Sequence, residues 1–124
     1  MPLGPLVKLE VRKVAGKGRG VFAGEDIAEG TVLEKAPVLV LPNDSVEDSP
    51  LIHYVYCWTE KTCALALGFG SMYNHSFDPN ARYDDVGIKQ KVFTAVRDIK
   101  AGEEVTINYN GEPDIREDVG FEVK

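Results

Sequence analysis

The residues with the most chemical capacity lie close together in Gly68-Phe69-Gly70-Ser71-Met72-Tyr73-Asn74-His75-Ser76-Phe77-Asp78-Pro79-Asn80. Two side-chain amides and an imidazole share this span with two glycines, which permit close backbone approach, and with Pro79, which stiffens a turn between Asp78 and Asn80. A rigid, irregular, polar segment after the apolar run Ala64-Leu65-Ala66-Leu67 suits a loop that grips a ligand beside a sheet. Read alone, Asn-His-Ser fits a surface turn with a capping asparagine equally well. A second stretch, Gly102-Glu103-Glu104-Val105-Thr106-Ile107-Asn108-Tyr109-Asn110-Gly111, adds paired carboxylates and a tyrosine at the end of a strand-like run. A phenol there is ordinarily core or interface, and it becomes chemical only if the first stretch lies against it.

A third piece, Gly18-Arg19-Gly20-Val21-Phe22-Ala23, precedes both. In this order the three resemble the signature motifs of the SET-domain methyltransferases: Gly-x-Gly, Asn-His-Ser-x-x-Pro-Asn and Gly-Glu-Glu-x-Thr-x-x-Tyr. The resemblance runs from about Leu6 to Gly111 and is greatest to the small stand-alone viral and bacterial members. It implies a mainly β fold, β-clip-like, of several short sheets with little helix and a C-terminal pseudoknot. The core would be about 6–111, and 112–124 a flanking segment.

The resemblance also assigns roles. Lys17, Gly18, Arg19, Gly20, Tyr73, Asn74, His75, Tyr109 and Phe121 would hold S-adenosylmethionine: Asn74 through its amide, His75 mainly through its backbone, and Phe121 as a cover. Tyr109 would be the catalytic residue, placed where the sulfonium methyl meets a lysine amine. Tyr54 would line the lysine channel, with Tyr56 as the alternative. Ile107 occupies the position where monomethylating members tend to carry a tyrosine, which implies di- or trimethylation; its β-branched side chain equally suits a strand packed in the core. The implied product is S-adenosylhomocysteine and the implied partner a basic protein. A catalytically inactive SET-like module that binds a basic peptide is the competing reading, opposed by the intact set Gly18, Gly20, Asn74, His75 and Tyr109.

At 124 residues the chain suits one domain with one core. A net charge of −6 argues against a direct nucleic-acid grip and favours a basic partner, with acidic residues gathered in 43–48, at Asp84-Asp85 and in the tail. Cys57 and Cys63 are the only cysteines. They cannot complete a zinc site of the usual kind, so no metal is expected, and they read as buried, reduced thiols. With no signal-like segment or apolar run of membrane-spanning length, the chain reads as cytoplasmic, with nuclear action left open. So small a SET domain would have little surface for a complete peptide groove, and the resemblance to small members that pair implies a possible homodimer.

Val7–Arg12 alternates apolar and charged residues as a half-buried strand does. A glycine-rich loop leads into the strand Gly20–Ala23. It lacks the Gly-Lys-Ser/Thr ending and following helix of a phosphate cradle. Strands are expected at Val32–Glu34 and Val38–Leu41, with Pro37 at a start or edge, then a loop over 43–50. Leu51–Trp58 fits a short helix or a strand. Further strands fall at Thr62–Phe69, in a hairpin of Asn80–Tyr83 and Lys89–Val96, and at Val105–Tyr109. Asp26-Ile27-Ala28-Glu29-Gly30 returns as Asp98-Ile99-Lys100-Ala101-Gly102, each between strand-like runs, which reads as two similar β-hairpin units.

Overall fold

The computed structural model describes residues 4–16, 18–87, 89–114 and 116. Among these residues ten strands build two sheets. They are β1 (Gly4–Pro5), β2 (Leu9–Val14), β3 (Gly18–Ala23), β4 (Val32–Pro42), β5 (Val55–Cys57), β6 (Thr62–Ala66), β7 (Asn74–His75), β8 (Ala81–Asp85), β9 (Gln90–Ala95) and β10 (Glu104–Ile107). The larger sheet runs β5-β6-β4-β9-β8, with β1 added to β4. The smaller runs β2-β3-β10-β7, so the last strand lies between β3 and β7 and pairs with β7 in parallel. Two short 3-10 turns, Asn43–Ser45 and Pro50–His53, are the described helical elements. The mainly β expectation holds.

The expected strands at Val32–Glu34 and Val38–Leu41 are one strand, with Pro37 inside it. β4 pairs with β9 as far as Pro37 and with β6 from Val38 onward, so the proline sits where the strand changes partners and a missing N–H breaks neither ladder. A register shift between Val32 and Glu34 marks a bulge, a device that re-aims a side chain. Leu51–Trp58 divides into a 3-10 turn, capped by the Ser49 hydroxyl, and the edge strand β5. β2 is an edge strand too, which is why the alternation in Val7–Arg12 does not enclose Val11.

The repeated turns do not make two hairpins. Each joins strands that pair with the other unit's strands, β3 with β10 and β4 with β9. The turns themselves meet about a local two-fold: Ile27 and Ile99 exchange backbone bonds of 2.7 and 2.8 Å. Gly30 N–H donates to Ala95 and Gly102 N–H to Ala23, both at 2.8 Å. Asp26 accepts from Ala101 N–H at 2.9 Å and Asp98 from Glu29 N–H at 2.8 Å. Turn chemistry is local, but here the strands on either side of each turn find their ladders in the other copy.

Val21, Leu33, Phe93, Val105 and Ile107 form a core with no exposed surface, against which Tyr73 stacks on Phe93 at 4.5 Å. Cys57 and Cys63 face each other in the β5–β6 register as free thiols. Cys63 is buried as expected; Cys57 is exposed, because β5 is an edge and ends there.

Candidate active site

Two adjoining cavities of about 390 Å³ each meet at Tyr109. Gly18, Arg19, Met72 and Asn74 line one of them, and Val55, Tyr56, Cys57, Tyr83 and Asn110 the other. His53, Tyr54, Ser71, Tyr73 and Tyr109 belong to both. The first is walled by backbone and amide, the second by aromatic rings.

Tyr109 follows the end of β10 and is fixed at three atoms. Its N–H donates to His75 Nδ1 at 2.9 Å, its carbonyl accepts from the Tyr83 hydroxyl at 3.2 Å, and its own hydroxyl donates to the Tyr73 carbonyl at 2.7 Å. Burial, with the nearby Glu104 carboxylate, pushes its pKa up to about 12. The phenol is therefore protonated across the physiological range.

The loop carrying Tyr73 is held from beneath. Glu34, turned inward at the bulge and fully buried, accepts from the Tyr73 hydroxyl at 2.8 Å and from Phe69 N–H at 2.9 Å. Desolvation raises its pKa, opposed by those two bonds. Gly68 has φ +64°, and a Cβ there would meet Glu34 Oε2 at 2.4 Å. The side chain of Tyr73 is thus core, while its main chain faces the cavities.

On the glycine side, Asn74 Nδ2 donates to the Arg19 carbonyl at 2.9 Å and to Glu104 Oε2 at 2.7 Å. Gly20 is pressed against the same pair: a Cβ there would lie 2.4 Å from Glu104 Oε2 and 2.8 Å from Asn74 Nδ2. Gly18 adopts φ +80° with nothing within 4 Å of a Cβ position, leaving backbone open to the cavity. Asn80 clamps β10 by accepting from Thr106 N–H at 2.9 Å and donating to the Glu104 carbonyl at 2.8 Å.

On the aromatic side, the Tyr56 hydroxyl donates to the Gly70 carbonyl at 2.6 Å, and Tyr56 packs edge-on against Tyr83 at 5.0 Å. Burial raises both phenols, Tyr83 to about 12. Tyr54, 47% exposed, stands at the mouth.

A model of the SET domain matches residues 18–110. The chain belongs to the SET-domain family. It is 39% identical over 106 residues to the histone-lysine N-methyltransferase, H3 lysine-37 specific, of Schizosaccharomyces pombe, covering 82% of this chain and 72% of that one. Histone-lysine N-methyltransferase SETD7 of Halocynthia roretzi is 28% identical over 127 aligned positions, 86% of this chain but 32% of the relative, so the chain spans about a third of that protein. Among solved structures, a candidate histone methyltransferase of Plasmodium falciparum matches with a TM-score of 0.73 and 29% identity, over 83% of this chain and 93% of that one.

Within this SET domain, Gly18, Arg19, Tyr73, Asn74 and Tyr109 converge on one cavity, and Tyr54 and Tyr56 on the other. Gly20 and His75 are buried behind the surface, where they shape the backbone and seat Tyr109. Ile107 is fully buried in the core and lines neither cavity, so core packing describes its side chain. Lys17 and Phe121 lie outside the described residues. Sequence reasoning missed Tyr83, Glu34, His53 and Lys91. Tyr83 and Lys91 look like ordinary members of a hairpin, and only their register places them at the site. Among the described residues no group of three or more His, Cys, Asp or Glu could hold a metal ion, and no helix is long and apolar enough to cross a membrane.

Proposed function

We propose that this SET domain is a protein-lysine N-methyltransferase acting on a basic, histone-like protein. The observation that carries this reading is that Tyr109, its hydroxyl held on the Tyr73 carbonyl, lines both a glycine-and-amide cavity and an adjoining tyrosine-walled one. The first cavity fits S-adenosylmethionine. Gly18 leaves backbone open where a side chain would stand, Gly20 lets Asn74 and Glu104 close in, and the polar groups there suit an amino-acid moiety. Gly18, Arg19, Gly20, Tyr73, Asn74, His75 and Tyr109 would hold it, with Lys17 and Phe121 as further proposed contacts. When bound, it supplies a methyl group on a sulfonium and is released as S-adenosylhomocysteine.

The chain's own part is to bring a neutral amine to that methyl and hold it in line. A free lysine has a pKa of about 10.4, so deprotonation near pH 7 costs roughly 4 to 5 kcal/mol unless the site lowers it. Tyr56, Tyr83 and Val55 strip water from the stem, which favours the uncharged form. The Tyr109 oxygen accepts from the amine N–H and so aims the lone pair; orientation of this kind can supply several kcal/mol. The proton lost from the amine passes to solvent through the mouth at Tyr54. A positively charged substrate is steered by a chain of net charge −6.

The names of the relatives point the substrate class toward histones. We place the activity in the cytoplasm or nucleus, without a metal, nucleic-acid grip or membrane attachment, and expect a homodimer, which light scattering would resolve. The test is transfer of labelled methyl groups to histone H3, with mass spectrometry of the product. Transfer to lysine supports the reading; binding of H3 without transfer at any pH leaves the inactive binding module instead.

A further inference from the structure

Behind the tyrosine wall lies a charge that the reaction above does not use. The Lys91 side chain is 1% exposed, and its Nζ sits 4.1 Å from the ring centre of Tyr56, 4.3 Å from that of Tyr83 and 5.6 Å from that of Trp58. Its partner is Asp85 Oδ1 at 2.6 Å. Burial lowers the Lys91 pKa from its ordinary value, and the bond to Asp85 works against that; the carboxylate and the three aromatic rings favour the ammonium form. Tyr56 and Tyr83 also wall the cavity that ends at Tyr109, so the same rings that touch the ammonium touch the space assigned to the substrate lysine.

We infer that Lys91 is a positioning residue whose fixed positive charge, acting through Tyr56 and Tyr83, keeps the incoming lysine amine unprotonated. This rests on the lysine-methylation reading. Like charges disfavour one another, and a low-dielectric wall transmits that repulsion better than water does. The Asp85 side chain is 47% exposed, so solvent screens the carboxylate while the ammonium is enclosed, and the pair presents net positive potential inward. The groups facing Lys91 are Asp85 and Tyr83 from β8, and Tyr56, Cys57 and Trp58 from β5 and its end; Glu34 on β4 acts on Tyr56 from behind. The tyrosines are neutral, and Glu34 is common to every variant below.

A tether between β5 and β8–β9 would need the same contacts, so the test must separate charge from packing. With saturating histone H3, the acid limb of the kcat–pH profile reports deprotonation of the bound amine. Lys91→Met removes the charge and keeps the stem, and moves that limb to higher pH. Asp85→Asn removes the counter-charge at an exposed position and moves it to lower pH. Lys91→Arg keeps the limb close to wild type. Both Lys91→Met and Asp85→Asn break one ion pair, so a mere tether moves them alike: a common direction, or lower kcat with an unmoved limb, overturns the inference. Should Lys91→Met not fold, the direction of the Asp85→Asn shift decides.

A second readout needs no turnover. Titration of butylamine, the lysine side chain cut at its α-carbon, in two buffers of different ionisation heat counts the protons released on binding. Wild type releases more than Lys91→Met and less than Asp85→Asn; equal counts overturn the inference. A wild-type protein inactive on H3 overturns the substrate reading, and the butylamine count then still decides Lys91.

Discussion

The Tyr109 hydroxyl donates to the main-chain carbonyl of Tyr73 at 2.7 Å, while the ring of Tyr73 itself is locked in the core by Glu34 and Phe93. The phenol proposed as catalytic is therefore referenced to the core and not to a surface loop. Tyr109→Phe deletes that donor and, on the proposed reading, the acceptor for the amine, and leaves the ring. Turnover should fall at least tenfold, about 1.4 kcal/mol of transition-state stabilisation, with cofactor affinity and melting temperature little changed. Steady-state kinetics beside a thermal melt check this; wild-type turnover would place the role on another tyrosine, Tyr54 or Tyr56 first.

Gly20→Ala tests the other cavity. Its methyl would overlap Glu104 Oε2 and Asn74 Nδ2, so one of those side chains must leave the position in which it closes the cradle. S-adenosylmethionine affinity should weaken by tenfold or more, measured by calorimetry. Asn74→Ala should weaken it as well, and cost stability of about 1 to 3 kcal/mol, because the Arg19 carbonyl and Glu104 lose their donor.

Glu34 links pH to stability. Its folded pKa lies above its ordinary value, with burial the largest cause. The folded state then holds the proton more tightly than the unfolded one. The associated stability is complete below the ordinary carboxylate range and is lost as pH rises through the folded pKa. Glu34→Gln removes this term, so the stability of wild type minus that of the variant should decline from about pH 4.5 upward. Urea unfolding across pH reads the difference; a flat difference would mean that Glu34 titrates as an exposed acid does.

What the sequence conveyed well was local. The motif residues around Asn74 and Tyr109 and the Gly18 loop were legible because three short motifs, each compatible with an ordinary turn or strand alone, stand in the order of a known family. What it withheld was pairing. The turn at Asp26-Ile27 and its copy at Asp98-Ile99 are legible as turns, yet nothing in either says that Ile27 will bond Ile99 instead of closing its own hairpin. Likewise Lys91 reads as one charge in an alternating strand. Its cage is assembled from Tyr56, Trp58 and Tyr83, which only the sheet order brings together.

The local two-fold makes its own prediction. Asp26 and Asp98 each satisfy one backbone N–H of the opposite turn, at 2.9 and 2.8 Å. Asp26→Ala and Asp98→Ala should cost about the same, on the order of 0.5 to 1.5 kcal/mol each, since each exchanges one bond at an exposed turn for a bond to water. Denaturant unfolding gives both values; a cost confined to one of them would mean that the symmetry of the turns is geometric and not energetic.

The last prediction concerns how many methyl groups are added. Ile107 is fully enclosed by the core and pairs with His75, so it offers no hydroxyl and no surface on which a water could crowd the amine. Two of the tyrosines that wall the cavity have their hydroxyls engaged, Tyr56 on Gly70 and Tyr83 on Tyr109. A methylated amine therefore keeps room to turn and realign its lone pair, and di- or trimethyl-lysine should accumulate. Ile107→Val should cost about 0.5 to 1.5 kcal/mol of stability, as the loss of one buried methyl group does, and leave the product ratio unchanged. Ile107→Tyr should destabilise by overpacking before it alters the product. Mass spectrometry of the product decides: a wild type that stops at monomethyl-lysine, or a folded Ile107→Val with a shifted ratio, would show that this position acts on the channel and not only on the core.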